Sequence, residues 1–346
     1  MQENKVGYFF IVMASVVIVL AGLKSASSIL VPFLLSLFIA IILSPSYNYI
    51  KSKRVPEGLA LLVVMGMFVV VLALVGKLVG NSVADFSANI DVYADKLSSN
   101  YDDLSQYAHN IGLPLLQDDF TDVFNSKRIM TFGTTVLQGM GSMFTNGFVI
   151  ILTVVFMLLE SGHFVDKIDF ADGKKDTIVQ IKEVSSKIKQ YMVLKTLISL
   201  LTGFIIWLAL VLIGTDYAFL WAVLAFLFNF IPNIGSIIAA VPAVLITLVQ
   251  LGSMSAGIVS LVYLGVNIII GSFVEPKVMG KGLGLSTLIV FLSLLFWGWL
   301  LGMVGMLLSI PLTIMAKIVF DTHENTRWIA TLLGSSENLE TKKATF

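Results

Sequence analysis

The sequence predicts an all-α polytopic membrane protein, and three observations carry that prediction. Hydrophobic residues make up 57% of the 346 and charged residues 13%, against about 45–50% and about 25% in soluble domains. Several apolar runs reach the roughly 20 residues that a helix needs to cross a bilayer core. Glycines and prolines interrupt the longest of these runs in the C-terminal half. Irregular backbone is tolerated at membrane depth only where protein or a watered cavity satisfies it. The expected architecture is about eight transmembrane helices, with broken or re-entrant helices in the C-terminal half and an extramembrane helical hairpin.

Residues 1–80 read as spans one to three. The first two, 8–23 and 29–44, are joined by Lys24-Ser25-Ala26-Ser27-Ser28, and Pro32 falls in the first turn of the second. Leu20 to Lys24 leads straight into the next span with no small-residue cleavage site, so the first helix is expected to be retained. A loop carrying Lys51, Lys53 and Arg54 precedes the third span, 58–80. By the positive-inside rule this loop, and with it the N-terminus, is cytoplasmic.

Residues 81–146 have a different pattern. Val83, Phe86, Ile90, Tyr93, Leu97, Tyr101, Leu104 and Tyr107 recur at steps of three and four, the signature of an amphipathic helix. Gly112 and Pro114 break it, and a second helix is expected from about 122 to 146. Eight acidic residues against Lys96, Lys127 and Arg128 suit the extracytoplasmic side, either as a solvated hairpin that packs on neighbouring subunits or as a substrate-recognition element.

Residues 147–320 form the core membrane domain. Span four, 147–159, ends at Glu160. The polar stretch 161–195 holds seven lysines, with Ile178, Ile181, Val184, Ile188 and Tyr191 on one face. That pattern predicts a cytoplasmic amphipathic helix, lying along the bilayer surface or against the core, or else serving as a gate. Span five, 196–213, follows. Two long apolar stretches come next, 218–251 and 286–318, each interrupted near its middle: Asn229 to Ser236 in the first, Trp297 to Gly305 in the second. Gly235 to Pro242 and Gly305 to Pro311 have nearly matching spacing, a faint internal repeat. Between them lie span 254–273 and a strip from Asn267 to Ser286, in which Glu275, Pro276, Lys277, Lys281 and the glycines from Gly271 to Gly284 interrupt the apolar pattern. The tail, 321–346, is polar and expected in the cytoplasm.

Several chemistries are excluded. Net charge is +0, so no basic field draws nucleic acid and the bilayer is the expected environment. Cysteine is absent, which removes disulfides, thiolate metal sites and thiol nucleophiles. His109, His163 and His323 are far apart, none with a neighbour at metal-ligand spacing. No G-x-S-x-G, H-E-x-x-H or Walker-type loop occurs, and the G-K-G-L-G run lacks the Lys-Ser/Thr ending of a phosphate loop. Neither an enzyme nor a bound cofactor or metal is expected.

Paired hydrophobic segments broken by glycine and proline are the best sequence pointer to a transporter's binding site. Asn229, Asn233, Ser236 and Asn267 sit at or beside such breaks. They either glue helices together by hydrogen bonds or line a cavity for a small hydrophilic solute. Pro232, Pro242 and Pro311 set the breaks in this reading, and Gly235 permits close approach. Glu275 and Lys277 are either an interfacial ion pair around a turn or a gate or ion-coupling site.

The motifs F-N-F-I-P-N-I-G-S (228–236), V-E-P-K-V-M-G-K-G-L-G-L-S-T (274–287) and F-L-S-L-L-F-W-G-W-L-L-G-M-V-G-M-L-L-S-I-P-L-T (291–313) resemble those of the autoinducer-2 exporter family of bacterial inner-membrane proteins. V-P-F-L-L-S-L-F-I-A at 31–40 and residues 191–200 extend the likeness over most of the chain, with 81–130 and the tail matching poorly. The resemblance implies about eight spans, a homo-oligomer and export of autoinducer-2. Some relatives resemble sodium(lithium)/proton antiporters, which keeps proton or sodium coupling open. Three functions follow as expectations: secondary export of a small polar signal molecule, cation/proton exchange centred on Glu275 or Asp216, and a non-transporting membrane scaffold.

Overall fold

The computed structural model describes residues 3–93, 95–96, 99, 147–160, 175–232, 234–279, 285–322 and 326–334. Over these residues the chain is helical: α1 (Glu3–Ser25), α2 (Ser27–Ser52), α3 (Glu57–Ala88), α4 (Gly147–Glu160), α5 (Lys175–Ile213), α6 (Ala218–Phe228), α7 (Gly235–Leu251), α8 (Ser253–Val266), a π-helical segment (Asn267–Val274), α9 (Glu275–Met279), α10 (Thr287–Leu307), α11 (Ser309–Thr322) and α12 (Arg327–Leu333). Among the described residues, six helices are long and apolar enough to cross a membrane: Gly7–Ser25, Ser27–Ser52, Glu57–Ala88, Ser186–Ile213, Ser253–Val278 and Thr287–Leu307. Three more apolar helices, α4, α6 and α7, are shorter. The 11 residues of α6 reach only about 17 Å, against a core of about 30 Å.

Hydropathy finds membrane, not helix ends, and the boundaries differ accordingly. α2 runs on through Pro45 to Ser52, so the basic loop begins at Lys53 and Pro32 lies in the second turn. α3 continues to Ala88. The amphipathic stretch before residue 195 and span five form one helix of 39 residues. Ile188 and Tyr191 are buried on it. The strip after Asn267 begins as helix and not as a break.

The chain divides into two compact units: Met1–Met65 with Gly147–Leu194 and Met279–Phe346, and Gly66–Asn146 with Lys195–Val278. In the first unit α2 packs on α4. The fully buried Ser36 hydroxyl lies 2.7 Å from the Pro32 carbonyl oxygen and 3.3 Å from that of Ile150, so a polar group in an apolar contact is satisfied. Ser286 caps α10, its hydroxyl accepting from the Ile289 N–H at 3.2 Å. α10 then turns at Gly302, whose φ of 68° and ψ of −148° are non-helical, a conformation suited to glycine. Beyond the turn, Trp297 Nε1 donates to Thr313 Oγ1 at 2.9 Å.

In the second unit α7 and α8 form a tight antiparallel pair joined at Gly252, with φ 85°. Phe86, Tyr93, Tyr217 and Trp221 pack edge-on and stacked against one another. Tyr93 donates to Asp216 Oδ2 at 3.0 Å. Burial, with Tyr217 and Asp216 beside it, pushes the Tyr93 phenol above its usual range. The start of the predicted amphipathic helix is therefore helical and anchored by its apolar face. Leu97 and everything from Tyr101 to Asn146 lie outside the described residues.

Both interruptions of the long apolar stretches use the same device. A Cβ on Gly235 would sit 1.8 Å from the Phe228 carbonyl oxygen, and one on Gly305 would sit 2.0 Å from that of Trp297. Each glycine lets the chain fold back against the helix it has just left. Gly235→Ala and Gly305→Ala are each expected to lower stability by about 1–3 kcal/mol, the usual range for overpacking. Gly80→Ala, with nothing within 4 Å of its Cβ, is the neutral control. Thermal unfolding of the three variants in detergent checks this.

Candidate functional site

The break between α6 and α7 positions the site. α6 ends at Asn229, where the backbone N–H still bonds to the Ala225 carbonyl, and Ile231 N–H folds back to Phe228 O at 2.8 Å. Pro232 is half-buried in the turn and supplies no N–H. The chain re-enters helix at Gly235, whose N–H bonds to Ile231 O at 3.3 Å. Most freed backbone groups thus find partners inside the turn, as an unwound segment in lipid requires.

The side chains at this break converge on neighbouring helices. Asn229 Nδ2 donates to Ser199 Oγ on α5 at 2.9 Å. Ser199 is fully buried and Thr202, one turn on, nearly so. A small cavity of about 10 Å³ is lined by Thr202, Asn229, Ser236, Tyr263, Asn267 and Gly271 among others. Against it lies a groove of about 320 Å³ between α7 and α8, sharing Ser236, Tyr263 and Asn267 and adding Ser260 with Ala240, Val244 and Leu245. The groove is mostly apolar with a few polar groups, the common make-up of a small-molecule site. Ser236 Oγ and Tyr263 OH are buried without a hydrogen-bond partner among the described residues.

Asn267 opens the π-helical segment, and a Cβ on Gly271 would sit 3.4 Å from Asn267 Oδ1. Pro276 follows two residues after the segment. A proline ring in a helix crowds the carbonyl four residues back, here that of Ser272, and a wider turn upstream relieves such crowding. π-turns inside α-helices also recur at functional sites.

The charges pair differently from the expected turn. Glu275 accepts from Lys195 Nζ at 2.6 Å, and the Lys195 side chain is only 4% exposed. Lys277 is exposed, and residues two apart on a helix do not face each other. Lys195 lies nine residues into the span that starts at Ser186, about 14 Å along it. Asp216 has a different use: its carboxylate accepts from Tyr93, its N–H donates to Gln250 Oε1 at 2.8 Å and its carbonyl accepts from Trp221 Nε1 at 2.9 Å.

Asn229, Pro232, Gly235, Ser236 and Asn267 are therefore neighbours at one break, while Glu275 sits further along with Lys195 and Lys277 points away from both. Pro242 lies inside α7 and Pro311 in the first turns of α11, not at the breaks. Asn233 and Gly280 to Gly284 lie outside the described residues, as do His109, His163 and His323. Sequence reasoning missed Lys195, Ser199, Thr202 and Tyr263. The first three recur at steps of four and three on an otherwise apolar helix, a legible polar stripe. Tyr263 carried no such signal.

Comparison with known proteins agrees with this architecture. Residues 10–325 match the family described as AI-2E family transporter. The AI-2 transport protein TqsA of Escherichia coli is 37% identical over 93% of this chain and 94% of its own length. A provisionally named transport protein of Haemophilus influenzae is 40% identical over 94% and 96%. YhhT of Escherichia coli, also named a transport protein only provisionally, is 38% identical over 96% of each. The chain belongs to the AI-2E transporter family, as a multi-pass protein of the bacterial inner membrane.

Proposed function

We propose that this protein exports autoinducer-2, a small hydroxyl-rich signal molecule, by secondary transport, and that the solute binds in the groove between α7 and α8. The observation that carries the reading is the placement of Ser236 and Asn267 in the wall of that groove, at a helix break next to Asn229. Neutral amides and hydroxyls suit an uncharged polyol better than a charged cage would. The groove volume of about 320 Å³ falls at the lower end of the usual range for ligand pockets, about 300–1,000 Å³. The AI-2 transport protein TqsA, with its 37% identity, supplies the substrate in this proposal, since the other relatives named above indicate transport alone. In the same reading residues 81–146 lie outside the cell, the polar stretch that precedes the span at Ser186 lies in the cytoplasm, and subunits associate as a homo-oligomer.

One observation favours a second reading, cation/proton exchange. Lys195, buried on α5, pairs with the partly exposed Glu275 of α9, and intramembrane charges are functional candidates by default. In that case Glu275 is the ionisable centre, and proton flux in everted vesicles is lost in Glu275→Gln.

Two predictions follow from these geometries. In cells lacking the gene, complementation with the wild-type chain restores the ratio of external to internal autoinducer-2. Ser236→Ala or Asn267→Ala each reduces export by a factor of about 2–10, the worth of one hydrogen bond. An unchanged ratio on deletion contradicts the export reading. For the ion pair, Glu275→Gln leaves the buried Lys195 without its partner carboxylate, at a cost of about 3–5 kcal/mol. The double variant Lys195→Met/Glu275→Leu is expected to recover most of that stability in thermal unfolding, because it removes both charges together.

A further inference from the structure

The two cavities at the α6–α7 break differ in kind. The groove has room for a solute of several heavy atoms. The inner cavity, about 10 Å³, holds a single particle the size of a water molecule. Its polar wall is made of Thr202, Asn229, Ser236, Tyr263 and Asn267, so every polar side chain in it presents a neutral oxygen and none is a carboxylate. Tyr263 is 6% exposed, and both its hydroxyl and Ser236 Oγ are buried without a partner among the described residues. Leaving such a group unmet costs about 1–3 kcal/mol, so two at one small cavity call for an occupant.

We propose that this inner cavity binds a sodium-sized monovalent cation through Ser236 Oγ, Tyr263 OH and the side-chain oxygens of Asn229 and Asn267. Three features select a cation of single charge. Divalent hard cations are generally held through carboxylates, and the wall has none. Ala225 and Asn229 belong to the C-terminal turn of α6, the negative end of a helix dipole. Asn267 and Gly271 belong to the π-helical segment, and unwound carbonyls with half-helix C-terminal ends coordinate sodium in broken-helix transporters. Asn229 Nδ2 is already engaged by Ser199, which leaves Oδ1 for the cavity.

Ser236, Tyr263 and Asn267 line both cavities. A cation in the inner one therefore orients the same side chains that face the groove, and its release changes what the solute meets. This coupling role rests on the transport reading above; the binding of the cation does not.

The test uses the full-length protein purified in detergent. Thermal unfolding is followed against sodium chloride, with choline chloride holding ionic strength constant and with lithium and potassium as comparison arms. Sodium is expected to raise the midpoint saturably and potassium much less. Ser236→Ala and Tyr263→Phe are expected to weaken the apparent sodium affinity by about tenfold or more, the order seen when a site loses one of its supporting groups. A midpoint indifferent to sodium, with Tyr263→Phe more stable at every salt, means an ordered water only and overturns the proposal. Sodium binding without any autoinducer-2 flux leaves the site standing and removes the solute reading. Flux that ignores sodium keeps the solute reading and removes the coupling role, while the unfolding midpoint alone decides the site.

Discussion

The structure depends on one constraint: backbone that leaves the helical ladder at membrane depth must recover its hydrogen bonds from the protein. The α6–α7 break meets it within a single turn. Ile231 and Gly235 N–H groups bond back to Phe228 and Ile231 carbonyls, and Pro232 has no N–H to satisfy. The turn closes only because Gly235 has no Cβ to strike the Phe228 carbonyl. The turn at Gly302 obeys the same constraint with a residue of positive φ, and Gly305 closes on Trp297 as Gly235 does on Phe228. Polar side chains then gather at the first break because it is a place in an apolar helix set where neighbouring groups can pair with them.

The buried charges follow the same logic on a larger energy scale. A lone Lys195 in an apolar helix would be very costly, and Glu275 meets it across 80 residues of sequence. The π-helical segment and Pro276 lie immediately before and at the start of the short helix that carries Glu275. A change in the winding of that segment would move Glu275 relative to Lys195 and Asn267 relative to the cavities. The polar break and the ion pair are thus connected through one helix.

How much of this was legible in the sequence varies with the physics involved. The all-α membrane class, the two interrupted stretches and the grouping of Asn229, Ser236 and Asn267 were readable because apolar runs and Gly/Pro breaks are local signals. Helix ends were not, since polar residues past the bilayer continue a helix as readily as apolar ones do; α5 extends the predicted span back to Lys175. The strip from Asn267 looked like a loop by composition, yet its first half stays helical by widening into π turns. Among the described residues six helices are long enough to span on their own, and the broken stretch 218–251 divides into two shorter pieces, α6 and α7. Glu275 and Lys277 read from sequence as either an ion pair around a turn or a gate or ion-coupling site; helix geometry separates residues two apart, and the Lys195 partner of Glu275, 80 positions away, is invisible to spacing. Tyr263 carries no sequence signal, because only packing shows its hydroxyl buried and unmet at the cavity.

In the proposed function a neutral polar solute crosses the membrane by way of the α7–α8 groove, beside the α6–α7 break. The most direct measurement of that crossing is the flux of labelled autoinducer-2 into proteoliposomes that contain this chain alone, with and without imposed sodium and proton gradients. The account predicts saturable flux that exceeds that of protein-free vesicles, responds to an imposed ion gradient and falls when Asn267 is replaced by alanine. Flux equal to the protein-free vesicles under every gradient would contradict it.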